Sequence, residues 1–440
     1  MRIVIDMQGA QTNSRFRGIG RYTLGLARGI ARMKGVHEVF LLVNGSLQES
    51  VQNIQDTFTG ILPPENIIFW YSPLPLRFFE EHGLEHQSIA KIIHSSAIAD
   101  LKPDVVLLCS YLAEICDDFV CAPEILHTFS HVAMVTYDFI PYKDHRHLGG
   151  EDTPVYHRYM ECFDLLRFTD LFLCISSYEN TELRSVIPSG ASKTIFCDTD
   201  TMFKQLSISL QEREDFLKKF TLTEKFILYS GGSDERKNIP ILLAAHHNLT
   251  EEMRKQFPLV IIEGKNKGYY EEKYIQDPYI HFLGYISDTD LLYFYNLCTL
   301  FVFPSLEEGF GLPPLEAMRC GAAVIASNTT SLPEVIGLEE ALFDPRDVLQ
   351  LTKKMQQVLS DPAFHARLRE HGQKQQQKFS WDRSARLCLE AMEKLPPHPQ
   401  PKGNTENVLS AQDALMTLPL TEENREIACN YLKKSFPNKI

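Results

Sequence analysis

The chain has 440 residues, 44% hydrophobic and 23% charged, with a formal net charge of −13. That length predicts roughly two to three globular domains, and the composition is ordinary for a globular protein. The acidic balance argues against a nucleic-acid binder, which needs clustered cations against phosphate.

The opening MRIVIDMQ lacks the long apolar region and cleavage site of a secretory signal. RIVID starts a series of short apolar runs: EVFLLVN, NIIFWY, DVVLLCS, HVAMVTYD, LFLCIS and KTIFC follow, with helical patterns such as 22–33 and 88–101 between several of them. The alternation predicts a parallel sheet with helices on both faces. After the first run, RFRGIGRYT offers Gly18 and Gly20, but Thr23 replaces the third glycine of a dinucleotide fingerprint. A shortened glycine turn can still bring backbone N–H groups near a phosphate. Arg15, Arg17, Arg21, Arg28, Arg32 and Lys34 make this first helix and its entry loop basic. One reading is a solvated face; the other is attraction to an anionic substrate or a lipid headgroup surface. In TYDFIPYKDHRHL, Asp138 follows a strand, where catalytic residues collect. His145 and His147 lack a third metal ligand and read as surface or acceptor-site histidines.

Ten cysteines are scattered with no C-x-x-C. Cys109, Cys116 and Cys121 form the closest group, and their spacing fits no zinc template. Most cysteines sit in apolar runs and read as small buried hydrophobes of a reducing compartment. No run approaches the roughly 18 apolar residues of a membrane span.

A second series, KFILYSGG, PLVIIEG, IHFLGY, LFVFPS, AAVIAS and ALFD, also alternates with helices. Two such series predict an α/β chain of two Rossmann-like domains, 1–200 and 201–379, joined near 198–209. The ligand is expected in the cleft facing the carboxyl ends of both sets of strands. FSWDRSARLCLEAMEKL reads as a final amphipathic helix, PPHPQPKGNTEN as a flexible linker, and TEENREIACNYLKKSF as a helical tail. That 396–440 tail could pack on the body or lead into a further domain. Two D-x-D triplets, Asp198–Asp200 and Asp288–Asp290, have the form of a metal–diphosphate clamp, but the second reads better as a helix start capped by Ser287 or Asp288.

Two loops of the second domain carry the most chemistry. In SGGSDERKNI, Gly231 and Gly232 make a turn, Asn238 is a candidate N-cap, and Arg236 and Lys237 supply the charge a diphosphate leaving group needs. In SLEEGFGLPPLEAMRCG, Gly309 and Gly311 let the backbone approach a ligand, and Pro313 and Pro314 suit a first helical turn. Glu308 in the loop and Glu316, expected in the first turn, can each accept hydrogen bonds from sugar hydroxyls. Helix N-termini also favour phosphate.

EEGFGLPPLEAMRCGAAVIAS resembles the E-x7-E signature of retaining nucleotide-sugar glycosyltransferases of family 4, with Glu308 and Glu316 in register. GGSDERKN is similar to their diphosphate-binding segment, and HFLGYISDTDLLYFYNLCTLFVFPS and GIGRY also match. The resemblance covers roughly residues 1–395. It implies a GT-B fold, with the donor in the C-terminal domain and the acceptor meeting the N-terminal one. It implies a donor site of Gly18, Gly20, Gly232, Arg236, Lys237, Glu308, Gly309, Phe310, Gly311, Leu312 and Glu316. Arg236 and Lys237 would bind the diphosphate, Glu308 the donor sugar and Glu316 the ribose. Glu308, Arg236, Lys237 and Asp138 are the implied catalytic residues. The implied reaction needs no metal or cofactor and retains anomeric configuration, with the leaving phosphate as base. The final helix, 380–395, usually crosses back to the N-terminal domain in this family.

Two departures stand out. Many members have His-Asp where this chain has Tyr137-Asp138, and CDTDTMF replaces the family's Asn-Gly-Val-Asp-like turn at the junction. MQGAQTNSRFRGIGRY and the linker tail resemble the first module of multi-domain transferases building bacterial surface polysaccharides, several of which use GDP-mannose. The expected function is mannosyl transfer from GDP-mannose to an O-antigen or capsule glycan, on a lipid-linked or free acceptor. The expected place is the cytoplasm or the inner face of its membrane. The alternatives are a UDP-sugar donor, or a non-catalytic sugar-nucleotide or glycan-binding module.

Overall fold

The computed structural model describes residues 1–222, 224–263, 277–399, 415, 418 and 420–437, without the side chains of 113 and 114. It divides into two compact units, Met1–Cys197 with Trp381–Ile440, and Asp198–Ser380.

The first unit is built on a seven-stranded parallel sheet: β1 (Arg2–Asp6), β2 (Glu38–Asn44), β3 (Ile67–Trp70), β4 (Val105–Leu108), β5 (His131–Thr136), β6 (Leu171–Cys174) and β7 (Ser192–Thr194). The order is β3-β2-β1-β4-β5-β6-β7. Each apolar run of the first series supplies one strand. β4, β5 and β6 are buried throughout, as expected of parallel strands covered on both faces.

Two C-terminal segments belong to this unit. Helix Trp381–Met392 lies on helix Gly18–Met33, and the close approach depends on glycine. A Cβ on Gly25 would sit 2.2 Å from Trp381 Cε2, and one on Gly29 would sit 2.7 Å from the Trp381 carbonyl oxygen. Arg32 pairs with Asp382 at the edge of this contact. Helix Glu422–Ser435, in the tail, packs on helix Gly83–Asp100 and β3. Ala428 and Leu432 join the same core as Ile89 and Ile93. Asn424 Nδ2 donates to Glu85 Oε2 at 2.6 Å, and Ser435 Oγ accepts from the Tyr71 amide at 2.9 Å. The helix thereby covers the edge of the sheet at β3. Most of the linker expected from 396 onward lies outside the described residues.

The second unit carries a six-stranded parallel sheet in the order β10-β9-β8-β11-β12-β13. Its strands are β8 (Ile227–Ser230), β9 (Leu259–Ile262), β10 (Ile280–Leu283), β11 (Leu300–Phe303), β12 (Val324–Ser327) and β13 (Leu342–Phe343). The D-x-D triplets serve structure here. Asp198 Oδ1 lies 2.6 Å from Arg319 Nη2, and Asp200 Oδ1 accepts from the Met202 amide at 2.8 Å. Ser287 caps helix Asp288–Leu297, and Asp290 pairs with Lys219 at 2.6 Å. All ten cysteines are free; Cys116 and Cys429 are exposed and the others buried. No described helix is long and apolar enough to cross a membrane.

Candidate donor site

β8 and β11 are neighbours in the second sheet, so the loops leaving their carboxyl ends meet. The β8 loop carries Arg236 and Lys237 in a short turn, Glu235–Lys237. The β11 loop carries Glu308. Three backbone ties lock the two together: the Leu306 amide and the Ser305 hydroxyl both donate to the Arg236 carbonyl oxygen, at 2.7 and 3.0 Å, and Arg236 Nη1 donates to the Glu307 carbonyl oxygen at 3.0 Å. Asn238 follows in left-handed conformation, φ 56°. It occupies the helix N-cap position, as expected, but its side chain caps nothing. It donates instead to the carbonyls of Pro304 at 3.2 Å and Pro345 at 2.8 Å.

Glu308 is 8% exposed, as is Lys237. Lys237 Nζ lies 2.5 Å from Oε1, and Arg236 Nη1 lies 3.2 Å from Oε2. Burial alone would push this carboxyl up. The charges of Lys237 and Arg236, with hydrogen bonds from Lys237 and Ser305, outweigh it and hold Glu308 below the usual glutamate range. Glu308 is therefore an ionised acceptor beside two cations. Lys237 Nζ also stands 5.4 Å from the centre of the Phe303 ring. Arg236 Nε pairs with Asp234 at 2.9 Å.

The loop after Glu308 is braced from the next turn of chain. Thr330 Oγ1 accepts from the Glu308 amide at 3.1 Å. Ser331 Oγ donates to the carbonyls of Glu308 and Phe310 at 2.9 and 2.8 Å. Gly311 has φ 107°, and a Cβ there would lie 2.7 Å from Leu332 Cδ2. Both facts select glycine. Helix Leu312–Arg319 begins next, with proline in its first turn.

Glu316 differs from expectation. It is the fifth residue of that helix, in the second turn, so the helix N-terminus is not what holds it. It is 5% exposed and accepts from Tyr295 Oη at 3.0 Å; Tyr295 Oη in turn lies 2.7 Å from Ser230 Oγ. Burial first, then the Glu316 charge, push the Tyr295 hydroxyl well above its ordinary pKa, so it stays a protonated donor. Tyr295 and Ser230 were not legible as site residues. In LLYFYNL a tyrosine among apolar residues reads as core, and its ring is indeed fully buried. Gly232, two residues beyond β8, has its carbonyl held by Tyr229 Oη at 2.7 Å.

Thus Gly232, Arg236, Lys237, Glu308, Gly309, Phe310, Gly311, Leu312 and Glu316 all belong to the second unit, and ion pairs join three of them. Gly18, Gly20 and Asp138 belong to the first. Gly18 opens helix Gly18–Met33, and Gly20 is pressed against its own loop: a Cβ would lie 2.4 Å from Arg15 Cα. Close packing alone accounts for glycine there. Asp138 Oδ1 accepts from the Ile140 amide at 3.1 Å, beyond the end of β5. His145 pairs with Glu151 at 2.8 Å.

Residues 211–375 match the family described as glycosyl transferases group 1. The two parallel sheets form a GT-B fold, and the family match falls within the second of the two units. Among solved structures, the chain superposes on Anabaena Alr3699/HepE in complex with UDP and glucose with a TM-score of 0.61 at 16% identity, covering 90% of this chain and 99% of that one. Sucrose-phosphate synthase from Thermosynechococcus elongatus gives 0.60 at 18%, covering 90% and 98%. At such identities the likeness is one of fold.

By sequence the chain is similar to bacterial mannosyltransferases. It is 34% identical over 408 residues to the serotype-specific mannosyltransferase WbdA of Escherichia coli, covering 90% of this chain and 48% of that protein. It is 33% identical over 253 residues to the O-antigen chain mannosyltransferase B of Escherichia coli, covering 54% and 66%. The chain spans about half the length of the WbdA relatives it matches.

Proposed function

We propose that this chain transfers mannose from GDP-mannose to a growing bacterial surface glycan, with retention at the anomeric carbon and without a metal. The supporting observation is the buried Glu308 carboxylate held ionised by Lys237 and Arg236 where the loops of β8 and β11 meet. Fixed cations there would neutralise the diphosphate as it leaves, and preorganised charge of this kind is often the largest single contribution to catalysis. Glu308 would accept hydrogen bonds from hydroxyls of the donor sugar, which places the sugar beside the cations that grip its leaving group. Glu316, oriented by Tyr295, would accept from the ribose hydroxyls. In the N-terminal unit, Asp138 would polarise a hydroxyl of the substrate, and Gly18 and Gly20, at the start of helix Gly18–Met33, would approach a phosphate.

Two carboxylates also fit the acid–base pair of a glycoside hydrolase. Glu308 is unsuited to the acid role, because two cations keep it ionised with no proton to give, and the same cations lower its basicity. The departing phosphate is then the base that takes the acceptor proton. The mannosyltransferase relatives favour mannose, while the UDP complex of the Anabaena protein makes a UDP-sugar the second donor to test. The reaction would take place in the cytoplasm or at the inner face of its membrane, where sugar nucleotides and lipid-linked glycans meet.

The test is thermal stabilisation by GDP-mannose, UDP-glucose, GDP and UDP, each with EDTA, since a ligand bound to the native state raises the melting point. GDP-mannose is expected to stabilise the wild type in EDTA and to fail with Lys237→Ala. Stabilisation by UDP-glucose alone, or only after Mn²⁺ is added, would overturn the donor or the metal-independent mechanism respectively.

A further inference from the structure

The chain passes between its two units twice, at Cys197–Asp198 and at Ser380–Trp381. Within the second unit, both passages are held by the elements that carry the donor residues. The holding residue is Arg319, the last residue of helix Leu312–Arg319 and three positions after Glu316. Its Nη2 lies 2.6 Å from Asp198 Oδ1 and donates to the Phe379 carbonyl oxygen at 3.1 Å. Asp198 opens the unit, and Phe379 stands next to its last residue. One guanidinium nitrogen thus ties the first passage to the second.

Further contacts join the same parts. Phe310, in the glycine loop after Glu308, meets the Phe379 ring edge-on with centres 5.4 Å apart, and both rings are buried. On the first passage, Phe203 meets the Tyr295 ring edge-on with centres 5.7 Å apart, and Tyr295 is the donor to Glu316. The next residue on that helix, Asn296, accepts from the Leu206 amide at 2.8 Å and donates to the Lys204 carbonyl oxygen at 3.0 Å. Glu316 therefore reaches the first passage through Tyr295, and Phe310 touches the second directly.

A helix packed at interior density shifts as a unit rather than deforming. Helix Leu312–Arg319 carries Glu316 and Arg319 three residues apart, on one face. A shift that seats Glu316 against a ligand therefore pulls on Asp198 and Phe379 together. Asp198 is buried, so bulk salt screens its pairing with Arg319 only weakly.

We propose that Arg319 is a positioning residue that couples nucleotide binding at the donor site to both chain passages. It acts through Glu316 and Phe310 and not on the substrate, and the proposal rests on the donor reading of those two residues. Coupling between sites is reciprocal. A nucleotide at the donor site should order both passages, and cutting the Arg319 tie should weaken nucleotide binding.

Hydrogen exchange of the full chain, read by mass spectrometry with and without GDP or UDP, tests this. In the wild type, nucleotide should slow exchange over 305–312, 198–206 and 376–383. In Arg319→Met, protection over 305–312 should remain, protection of the two passages should be lost, and the nucleotide Kd should rise about tenfold. Arg319→Lys keeps one cationic nitrogen for the same two oxygens and should recover part of both effects. Asp198→Asn keeps the side-chain shape and an acceptor; should Arg319→Met not fold, it is the second variant, and it should lose protection over 198–206. A folded Arg319→Met protein that is less stable but has wild-type Kd and wild-type protection of all three segments overturns the proposal, leaving Arg319 a structural brace. So does a wild type that binds nucleotide and protects neither passage. Both of those results leave the donor reading standing, whereas a wild type that binds neither GDP nor UDP overturns the donor reading and the proposal together.

Discussion

Lys237 and Glu308 lie 71 residues apart in the chain and 2.5 Å apart in space, Nζ to Oε1, both almost wholly buried. Arg236 completes the cluster on the other carboxylate oxygen. A buried charge stays ionised only when its partners outweigh the loss of water, and here they do. The same pairing that keeps Glu308 charged keeps two cations fixed at the carboxyl ends of β8 and β11.

The pair is expected to separate stability from activity. Lys237→Met leaves Glu308 with Arg236 alone and should cost roughly 1–3 kcal/mol of stability, with transfer lost. Lys237→Met combined with Glu308→Gln removes both charges, and should be less destabilising than the sum of the two single changes. Transfer should remain absent. Urea unfolding of the four proteins, with nucleotide release measured in parallel, checks this. Simple additivity of the stability losses would show that the two side chains are not coupled.

Tyr295→Phe tests the second carboxylate. The change removes the hydroxyl that donates to Glu316 and lies 2.7 Å from Ser230. Leaving those buried groups short of a partner should cost roughly 1–3 kcal/mol. If Glu316 takes part in nucleotide binding, affinity for the nucleoside diphosphate should fall with it, as titration calorimetry would show. A normal affinity in the folded variant would confine Tyr295 and Glu316 to structure.

His246 sets an acid limit on the second unit. It is fully buried, its Nε2 lies 3.2 Å from the Phe257 carbonyl oxygen, and its Nδ1 has no hydrogen-bond partner. Burial pushes its pKa from 6.5 down to about 4. Between those values the unfolded chain binds a proton that the folded protein refuses. Stability is therefore full above pH 6.5 and declines as pH falls toward 4, by on the order of 1.4 kcal/mol per pH unit. His246→Asn should show a smaller drop in melting temperature between pH 7 and pH 5 than the wild type. Equal drops would mean that other groups set the acid limit.

Much of this was legible in the sequence. Short apolar runs gave the strands because a parallel strand covered on both faces needs apolar residues throughout. Arg236, Lys237 and Glu308 could be picked out because adjacent cations and a glycine loop each follow a strand of the same series. Their direct pairing could not, since it depends on β8 and β11 being neighbours, with 71 residues between Lys237 and Glu308. Glu316 was visible as a carboxylate near a helix start, but its partner was not: Tyr295 lies on another helix, and nothing in LLYFYNL marks a hydroxyl aimed at an acid. Gly20 shows the opposite limit. Its position after β1 suggested a phosphate turn, whereas the close approach of Arg15 is what excludes a side chain.

The most direct measurement is nucleotide release from GDP-mannose by the full chain, in EDTA, with a manno-oligosaccharide acceptor, comparing wild type with Glu308→Gln. Glu308→Gln keeps the shape of the side chain and removes its charge. If Glu308 orients the donor sugar beside Lys237 and Arg236, the wild type turns over in EDTA and the folded variant falls by about 10²-fold or more. An unchanged rate in a folded Glu308→Gln protein would contradict the role assigned to the Lys237–Glu308 pair.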